Sequence, residues 1–312
     1  MSLAFLFPGQ GSQAAGMGKD LSEAYPEARR VYERADAALA PHGLVVSTVS
    51  FEGSEDDLKQ TAVTQPAILT HSIAVFEVLR AKGLAPSIAA GHSLGEYSAL
   101  VAAGALRFED AVVLVRRRGL FMQEAVPPGA GAMSAVIGLP PESVAAACAE
   151  ASAATGETCS AANFNSPEQT VIAGTALGVA RAAEILKAKG AKRVLPLPVS
   201  APFHCALMRP AEERLWPFLR ETVFGPLSFP VVTNVDAAPN SDPAAAREAL
   251  RRQVCCPVRW VETVQALAGR TPSAVEVGPG AVLAGLGRRI AKDWPVKTTS
   301  TVSGIAALFA GT

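Results

Sequence analysis

The segment SIAAGHSLGEYSALVAAGAL, residues 87–106, limits the possible folds of this chain more than any other. A short apolar stretch ends at Gly91, a tight turn runs to Gly95, and an apolar helical stretch follows to Gly104. A buried strand that leads through a tight turn into a buried helix is typical of a mostly parallel sheet with helices on both faces. The segment therefore predicts an α/β fold.

Strands and helices alternate through most of the remaining sequence. Strands are predicted at 3–7, 230–235, 274–278 and 296–301, and helices at 25–39, 64–83, 108–126, 207–222, 242–253, 261–269 and 281–290. In the middle of the chain the order becomes β-α-β-β-α-β, that of a ferredoxin-like unit, with its last strand within 192–200. We therefore predict a large subdomain of residues 1–127 and 197–312, into which a small ferredoxin-like subdomain, residues 128–196, is inserted.

The charge balance excludes a general attraction for polyanions. The chain has 28 Lys and Arg residues against 28 Asp and Glu residues, so no net field recruits nucleic acid or an anionic membrane. No basic region precedes the apolar run at the N-terminus, as it would in a signal peptide. The longest uncharged stretches, such as 125–141 and 194–208, are broken by Pro and Gly, so we predict no membrane span.

Cysteine and histidine spacing argues against a disulfide framework and against a metal site. The five cysteines show no C-x-x-C spacing and their number is odd, which favours a reducing, cytoplasmic setting. The four histidines are scattered, and none is paired with another at helical i, i+4 spacing. We therefore expect no bound metal.

Residues 91–95 satisfy the pattern G-x-S-x-G between a predicted strand and a predicted helix. That is the setting of a nucleophile elbow, in which a serine hydroxyl is exposed on a strained turn. Ser93 would also lie at a helix N-terminus, where backbone N–H groups stabilise negative charge. The simpler alternative is a serine that caps a helix in a glycine-rich turn.

A serine nucleophile needs a base, because its hydroxyl reacts weakly at neutral pH. His92 is its sequence neighbour and is expected to point elsewhere, while His42 lies in a loop-like segment and His71 within a helical pattern. His204 follows a predicted strand and precedes a helix, the position where functional residues of α/β sheets collect. Elimination leaves His204 as the candidate base.

Three consecutive arginines, Arg116, Arg117 and Arg118, interrupt a predicted helix that is otherwise apolar nearly all round. Successive helical residues are separated by about 100° around the axis, so at least one of the three faces protein rather than water. A buried guanidinium requires an anionic partner, either an internal Asp or Glu or the carboxylate of a substrate. The pattern does not decide between these partners or among the three arginines.

The loop in LAFLFPGQGSQ, residues 3–13, has two possible uses. Gly9, Gly11 and Ala14 fit the G-x-G-x-x-A spacing that cradles a dinucleotide pyrophosphate. The acidic residue at the end of a second strand, which that fingerprint requires, is missing, because residues 27–36 are predicted to be helical. Gln10, on a rigid turn beside the elbow, is instead a candidate for binding an oxyanion.

Seven separated motifs, in matching order from residue 3 to about residue 290, resemble a known family. They are similar to the malonyl-CoA:acyl-carrier-protein transacylases of bacterial fatty-acid synthesis, and they read FPGQGSQ, TQPA, GHSLGEYSAL, RRRGLFMQEAVP, ANFNSPEQTVIAG, SAPFHCALM and EVGPGAVLAGL. The resemblance implies an α/β-hydrolase-like, mostly parallel sheet core with an inserted ferredoxin-like subdomain.

The resemblance also implies roles for individual residues. Ser93 of GHSLG would be the acyl-accepting nucleophile, and His204 of APFH would be its base and acid. Arg118, directly before the glycine of RRRG, would bind the malonyl carboxylate. The backbone N–H groups of Gln10 and Leu94 would bind the oxyanion.

Four further positions match the family's pocket. The backbone carbonyl of Gln253 would orient the histidine, although its flanking residues match less closely. Gln65 of TQPA and Asn163 of ANFN would line the pocket, with ordinary turn and strand roles as the alternative. Phe203 is bulky. In relatives that select extender units, a bulky residue at this position is associated with malonyl substrates and a smaller one with branched substrates.

The activity implied by the resemblance is transfer of a malonyl group from malonyl-CoA to the phosphopantetheine thiol of acyl carrier protein. The implied partners are therefore malonyl-CoA and acyl carrier protein, with no separate cofactor, and a cytoplasmic monomer is expected. A stand-alone acyltransferase for polyketide synthesis, a malonate decarboxylase subunit, a serine thioesterase or hydrolase, and a non-catalytic malonyl-CoA-binding subunit are the alternatives.

Overall fold

The computed structural model describes residues 2–199 and 201–310 of the chain. Its strands are β1 (Ala4–Phe7), β2 (Ile88–Gly91), β3 (Gly131–Ile137), β4 (Cys159–Ser166), β5 (Gln169–Thr175), β6 (Arg193–Pro196), β7 (Val231–Val232), β8 (Pro239–Asn240), β9 (Ala274–Glu276) and β10 (Val296–Thr298). Its α-helices are α1 (Lys19–Ala24), α2 (Pro26–Leu39), α3 (Val46–Glu52), α4 (Thr61–Ala81), α5 (Gly95–Ala102), α6 (Phe108–Glu124), α7 (Pro141–Thr155), α8 (Ala176–Ala188), α9 (Arg209–Glu221), α10 (Pro243–Gln253), α11 (Trp260–Ala268), α12 (Val282–Ile290) and α13 (Val302–Phe309).

The larger sheet is mostly parallel. Within the described residues its strand order is β10-β9-β1-β2-β7-β8. All neighbouring pairs are parallel except β7 and β8, which form a short antiparallel pair at one edge. β1 and β2 are buried along their whole length, as strands covered on both faces must be. The predicted α/β class is confirmed.

The smaller sheet is antiparallel, with the order β4-β5-β3-β6. Helices α7 and α8 pack against each other and against this sheet. Their apolar sides form a separate core with residues such as Val144, Ile172 and Leu186. The β-α-β-β-α-β order predicted for the middle of the chain is therefore present, while the exact subdomain boundaries, 1–127 with 197–312 and 128–196, remain a prediction.

Helix α4 forms the centre of the larger core, where it packs against α2, α5 and α6. Its mean hydropathy of 1.3 over an 18-residue window would suit a membrane span, but 83% of that window is buried inside the protein. Packing against neighbouring helices therefore accounts for its apolar composition.

Helices α1, α3 and α13 and strand β8 are not predicted from the sequence. Helix α1 buries only Leu21 and so has no readable apolar face, whereas α13 fully buries only Ile305 but also packs the partly buried Val302, Leu308 and Phe309 against the larger core. The last strand is predicted to reach residue 301, but it ends at Thr298 because the Thr301 side chain accepts a hydrogen bond from Gly304 and starts α13. The strand predicted within 192–200 spans Arg193–Pro196, and residue 200 lies outside the described residues.

Candidate active site

Three loops meet at the carboxyl edge of the larger sheet. β1 and β2 pair in register, with Phe7 opposite Gly91, and β7 continues the sheet beside β2. The loop after β1 carries Gln10, the turn after β2 carries Ser93, and the loop after β7 carries Asn234. The strand register therefore brings together segments that are far apart in sequence, at the edge where α/β sheets place their sites.

The turn after β2 has the geometry of a nucleophile elbow. Ser93 has a φ of 51°, in the left-handed region that non-glycine residues adopt only under constraint. A Cβ atom at Gly91 would lie 1.8 Å from the Gly95 carbonyl carbon, and one at Gly95 would lie 2.0 Å from the Phe7 carbonyl oxygen. Only glycine fits at both flanking positions, which is the physical reason for the spacing G-x-S-x-G.

Replacing Gly91 by alanine is expected to destabilise the protein by about 3 kcal/mol or more, because the new methyl group would overlap backbone atoms that have no room to move. The matched control is Gly285→Ala in helix α12, where an added Cβ would meet nothing within 4 Å. That control is expected to stabilise the helix by about 0.5–1 kcal/mol. Urea unfolding measures both, and a Gly91→Ala protein as stable as the control would contradict the close packing of the turn.

His204 lies between Ser93 and a backbone carbonyl. Its Nε2 is 2.7 Å from the Ser93 Oγ, and its Nδ1 is 2.8 Å from the Gln253 carbonyl oxygen. Because a carbonyl only accepts hydrogen bonds, Nδ1 carries the proton and Nε2 is free to accept the proton of the Ser93 hydroxyl. The structure thus joins the predicted nucleophile, base and orienting carbonyl through two consecutive hydrogen bonds.

The imidazole of His204 is kept neutral by its surroundings. It is buried, with 4% of its surface exposed. Burial, followed by the nearby positive charge of Arg118, lowers the pKa of His204 to about 3. At physiological pH the imidazole is therefore unprotonated, the form that can accept a proton.

The three consecutive arginines of α6 have three different environments. Arg116 donates to the His42 carbonyl at 2.8 Å, and Arg117 lies over the ring of Phe218, 4.1 Å from its centroid. Arg118 is 1% exposed and points toward Ser93. Of the three, Arg118 is therefore the arginine that lies buried beside Ser93, and its binding of a substrate carboxylate stays a prediction.

The guanidinium of Arg118 is held by amide and hydroxyl oxygens. It donates to Gln65 Oε1 at 2.9 Å, to Gln253 Oε1 at 2.8 Å and to Ser93 Oγ at 3.1 Å. In the described part of the chain it forms no ion pair with a carboxylate, and its Nε has no hydrogen-bond partner. The nearby buried carboxylate, Glu96, acts on Arg118 at a distance and is linked to it through the Gln253 carboxamide. A buried cation without a direct ion-pair partner can bind the carboxylate of a substrate.

Two residues beside the nucleophile have backbone N–H groups with free hydrogen-bonding capacity. Those of Gln10 and Leu94 donate to no acceptor within residues 2–199 and 201–310. Both residues line the same cavity as Ser93. The loop of Gln10 comes so close to the elbow that a Cβ at Gly9 would lie 2.4 Å from the His92 carbonyl oxygen. Glycine therefore serves here for close approach to the elbow, not to a pyrophosphate.

These groups surround a cavity of about 120 Å³. Gln65, Asn163 and Phe203, the pocket residues implied by the resemblance, all line it, and each is nearly fully buried. His92 lines it as well, and the lining residues that sequence reasoning did not identify are Met122, Met133, Leu197 and Val199. The cavity is narrow and mostly apolar, with one cationic group beside the Ser93 hydroxyl, which suits a small acyl chain that ends in an anion.

Two buried polar residues, Asn234 and Glu96, were not identified from the sequence. The Asn234 side chain accepts from the Ser93 N–H at 2.7 Å, and its backbone N–H donates to Glu96 Oε2 at 3.0 Å. Burial raises the pKa of Glu96 to about 7. Gln253 joins this group to the arginine, because its Nε2 donates to Glu96 Oε2 at 2.7 Å while its Oε1 accepts from Arg118.

His92 has a separate role in packing. Its Nε2 lies 2.8 Å from Asn165 Oδ1, and its ring meets Trp260 edge-on at 5.3 Å between centroids. It therefore makes its hydrogen bond with the smaller sheet and not with the neighbouring serine.

Comparison with known proteins identifies the family of the chain. The family model of the acyl transferase domain matches residues 4–305. The malonyl CoA-acyl carrier protein transacylase of Escherichia coli K12 is 48% identical over 306 residues, covering 97% of both chains. The enzyme of the same name from Bacillus subtilis is 47% identical over 289 residues, covering 92% of this chain and 90% of its own.

Solved structures of similar fold are malonyltransferases as well. An acyl carrier protein S-malonyltransferase from Vibrio cholerae superposes with a TM-score of 0.95 at 46% identity, covering 99% of this chain and 100% of its own. A malonyl-transacylase in complex with a type II PKS acyl-carrier protein gives a TM-score of 0.96 at 44% identity, and each chain is fully covered. The chain therefore belongs to the acyl transferase family, among the malonyl-CoA:acyl-carrier-protein transacylases.

Proposed function

We propose that this protein transfers the malonyl group of malonyl-CoA to the phosphopantetheine thiol of an acyl carrier protein, through a malonyl ester of Ser93. In the first step the Ser93 Oγ attacks the thioester carbonyl carbon while His204 Nε2 takes its proton. The oxyanion then accepts hydrogen bonds from the Gln10 and Leu94 backbone N–H groups, and loss of such a donor typically costs about 10²- to 10³-fold in rate. The CoA thiolate leaves with the proton that His204 returns.

The second step repeats the first in reverse with a new thiol. His204 takes the proton of the phosphopantetheine thiol, whose sulfur attacks the ester carbonyl of malonyl-Ser93. The collapse of the tetrahedral intermediate returns the proton to the Ser93 Oγ and releases malonyl-phosphopantetheine. Because the two acyl carriers react in turn, ping-pong kinetics follow.

The observation that carries the proposal is the position of Arg118 relative to the nucleophile. Its Nη2 lies 3.1 Å from the Ser93 Oγ, so a carboxylate bound by the guanidinium must be close to the acyl carbon. Malonate has a single methylene between its two carboxyl carbons and meets that requirement. Phe203 is buried and lines the same cavity, and we infer that its bulk disfavours a branch on that methylene.

Brief incubation with malonyl-CoA, followed by mass spectrometry of the intact chain and of its peptides, tests the proposal. The expected result is one malonyl group per chain, on the peptide that contains Ser93, and its loss when acyl carrier protein with a free phosphopantetheine thiol is added. Loss of the group to water at the same rate without carrier protein would indicate a hydrolase. No covalent malonyl group at all would overturn the proposed mechanism.

The rate of Ser93 acylation is expected to stay nearly constant as the pH falls from about 8 to about 5. The reason is that the pKa of His204 is lowered to about 3, so the imidazole remains an unprotonated base throughout this range. Stopped-flow acylation rates measure this profile. The control is Glu96→Gln, since the pKa of Glu96 is raised to about 7 and any inflection that it causes would vanish in that variant. A fall with a midpoint near pH 6.5 in both proteins would contradict a buried neutral base.

We propose that the malonyl group is used in fatty-acid synthesis. We further propose that the enzyme is a cytoplasmic monomer that needs no cofactor beyond its substrates. A second destination is favoured by one observation, the TM-score of 0.96 with a malonyl-transacylase bound to a type II PKS acyl-carrier protein. Comparing kcat/KM for a fatty-acid carrier and a polyketide carrier distinguishes the two, and light scattering during gel filtration tests the oligomeric state.

A further inference from the structure

The carboxamide of Asn234 binds the elbow on both sides of His92. Its Oδ1 accepts from the Ser93 N–H at 2.7 Å, and its Nδ2 donates to the Gly91 carbonyl at 2.6 Å. A backbone N–H only donates and a carbonyl only accepts, so the amide fits this position in one orientation. One side chain therefore fixes the direction of two peptide groups that flank the tightest part of the turn.

The backbone at Ser93 needs such support. Its φ of 51° belongs to a region that costs about 1–3 kcal/mol for a non-glycine residue and persists only where surrounding contacts enforce it. The Ser93 carbonyl is held as well, since it accepts from the Glu96 N–H at 3.1 Å and from Gln253 Nε2 at 3.0 Å. Asn234 supplies the corresponding contact on the N–H side of the residue.

Asn234 is itself held rigidly. It is fully buried and lies two residues after the end of the short strand β7, so the sheet fixes its position relative to β2. Its backbone N–H donates to Glu96 Oε2 at 3.0 Å, and its carbonyl accepts from the Arg259 N–H at 3.1 Å. A side chain that is locked in this way can transmit the rigidity of the sheet to the turn.

We propose that Asn234 is a positioning residue for the nucleophile, whose carboxamide keeps the Ser93 Oγ in line with His204 Nε2. It contacts neither the substrate nor the reacting atoms. The proposal rests on the proposed acylation of Ser93, and it concerns the rate of that step and not the identity of the acyl group.

Asn234→Ala is expected to lower the acylation rate constant of Ser93 on the order of 10²-fold, the effect of a displacement of about 1 Å at a reacting centre. The same factor is expected for malonyl-CoA and acetyl-CoA, because Arg118 keeps its own contacts. The loss should appear in kcat, with KM nearly unchanged. Asn234→Asp keeps the shape of the side chain and the acceptor for Ser93 but removes the donor to Gly91, and a loss of at least about tenfold is expected.

The experiment measures two quantities separately, the rate constant of Ser93 labelling and the fraction of chains finally labelled. Labelling with a fluorophosphonate and acylation by malonyl-CoA are both followed by mass spectrometry. Thr233→Ala is the matched control, because Thr233 is the neighbouring buried residue and its hydroxyl binds Asp236, 3.2 Å away, instead of the elbow. The control is expected to keep the wild-type rate constants.

Slow but complete labelling of the Asn234 variants by both reagents supports the proposal. A purely structural role would instead reduce the labelled fraction and the melting temperature while the rate constant stayed within about twofold of wild type, and that result would overturn it. If Asn234→Ala does not fold, the same criteria apply to Asn234→Asp. Fluorophosphonate labelling without malonyl-CoA acylation in the wild type would overturn the proposed function alone, because the position of Ser93 is still measured by the fluorophosphonate.

Discussion

Replacing His204 by alanine is expected to slow malonyl transfer by a factor on the order of 10⁴ to 10⁶, the range found when a nucleophile loses its base. The physical reason is that the Ser93 Oγ would keep its proton, since its remaining partner, Arg118, is a donor and accepts no proton. Malonyl-Ser93 formation should become undetectable within the time of a wild-type turnover. Quenched-flow mass spectrometry measures the rate directly.

The control for this experiment is the double variant Ser93→Ala with His204→Ala. Because the two side chains act as one unit, their effects are expected to be strongly non-additive, with the double variant about as slow as either single variant. Additive losses, or a His204→Ala enzyme that retains a tenth of wild-type activity, would show that the imidazole is not the base.

Replacing Arg118 by alanine is expected to reduce kcat/KM for malonyl-CoA by about 10²- to 10³-fold and to spare or raise kcat/KM for acetyl-CoA. Leaving a charged group buried without its partner costs about 3–5 kcal/mol, and here the unpaired group would be the malonyl carboxylate. Acetyl-CoA has no carboxylate and gains from the removal of the charge. Steady-state transfer rates with both thioesters measure this change of selectivity.

Arg117→Ala is the matched control, because it removes the same positive charge from the adjacent position of α6. Its guanidinium lies over the Phe218 ring and takes no part in the cavity, so both thioesters should be transferred at nearly wild-type rates. Equal losses on malonyl-CoA and acetyl-CoA in the Arg118→Ala enzyme would count against carboxylate binding and indicate a role in holding Ser93.

The elbow could be predicted because its constraints are local. The spacing of Gly91, Ser93 and Gly95, between an apolar strand and an apolar helix, reports a steric requirement within a few residues. The position of His204 is non-local, and elimination identified it only because the chain has four histidines. The sequence pattern alone could not distinguish Arg118 from its two neighbours. Helical periodicity predicts the face on which a side chain lies, but not the groups that it contacts.

Asn234 and Glu96 lay beyond sequence reasoning for a different reason. Each is an ordinary polar residue in an ordinary context, and its importance arises from contacts across the sheet, such as Asn234 with Ser93 and Gln253 with Glu96. Helix α1, which was also missed, is short and buries a single large side chain, so it leaves almost no periodic signal. Strongly periodic elements, and glycines at positions where a Cβ would clash, could be predicted from the sequence. Networks of buried polar side chains could not.

Gln253 acts on the site through two groups. Its main-chain oxygen accepts from His204, and its carboxamide lies between Arg118 and Glu96 and also donates to the Ser93 carbonyl. The acceptor for His204 is a main-chain carbonyl, so every amino acid at this position retains it. Substitutions at position 253 are thus expected to change the preferred thioester and to slow acylation, without removing the acceptor that orients His204. A saturation screen at position 253 can count inactive variants separately from active variants with altered thioester preference. Most substitutions are expected to fall in the second group.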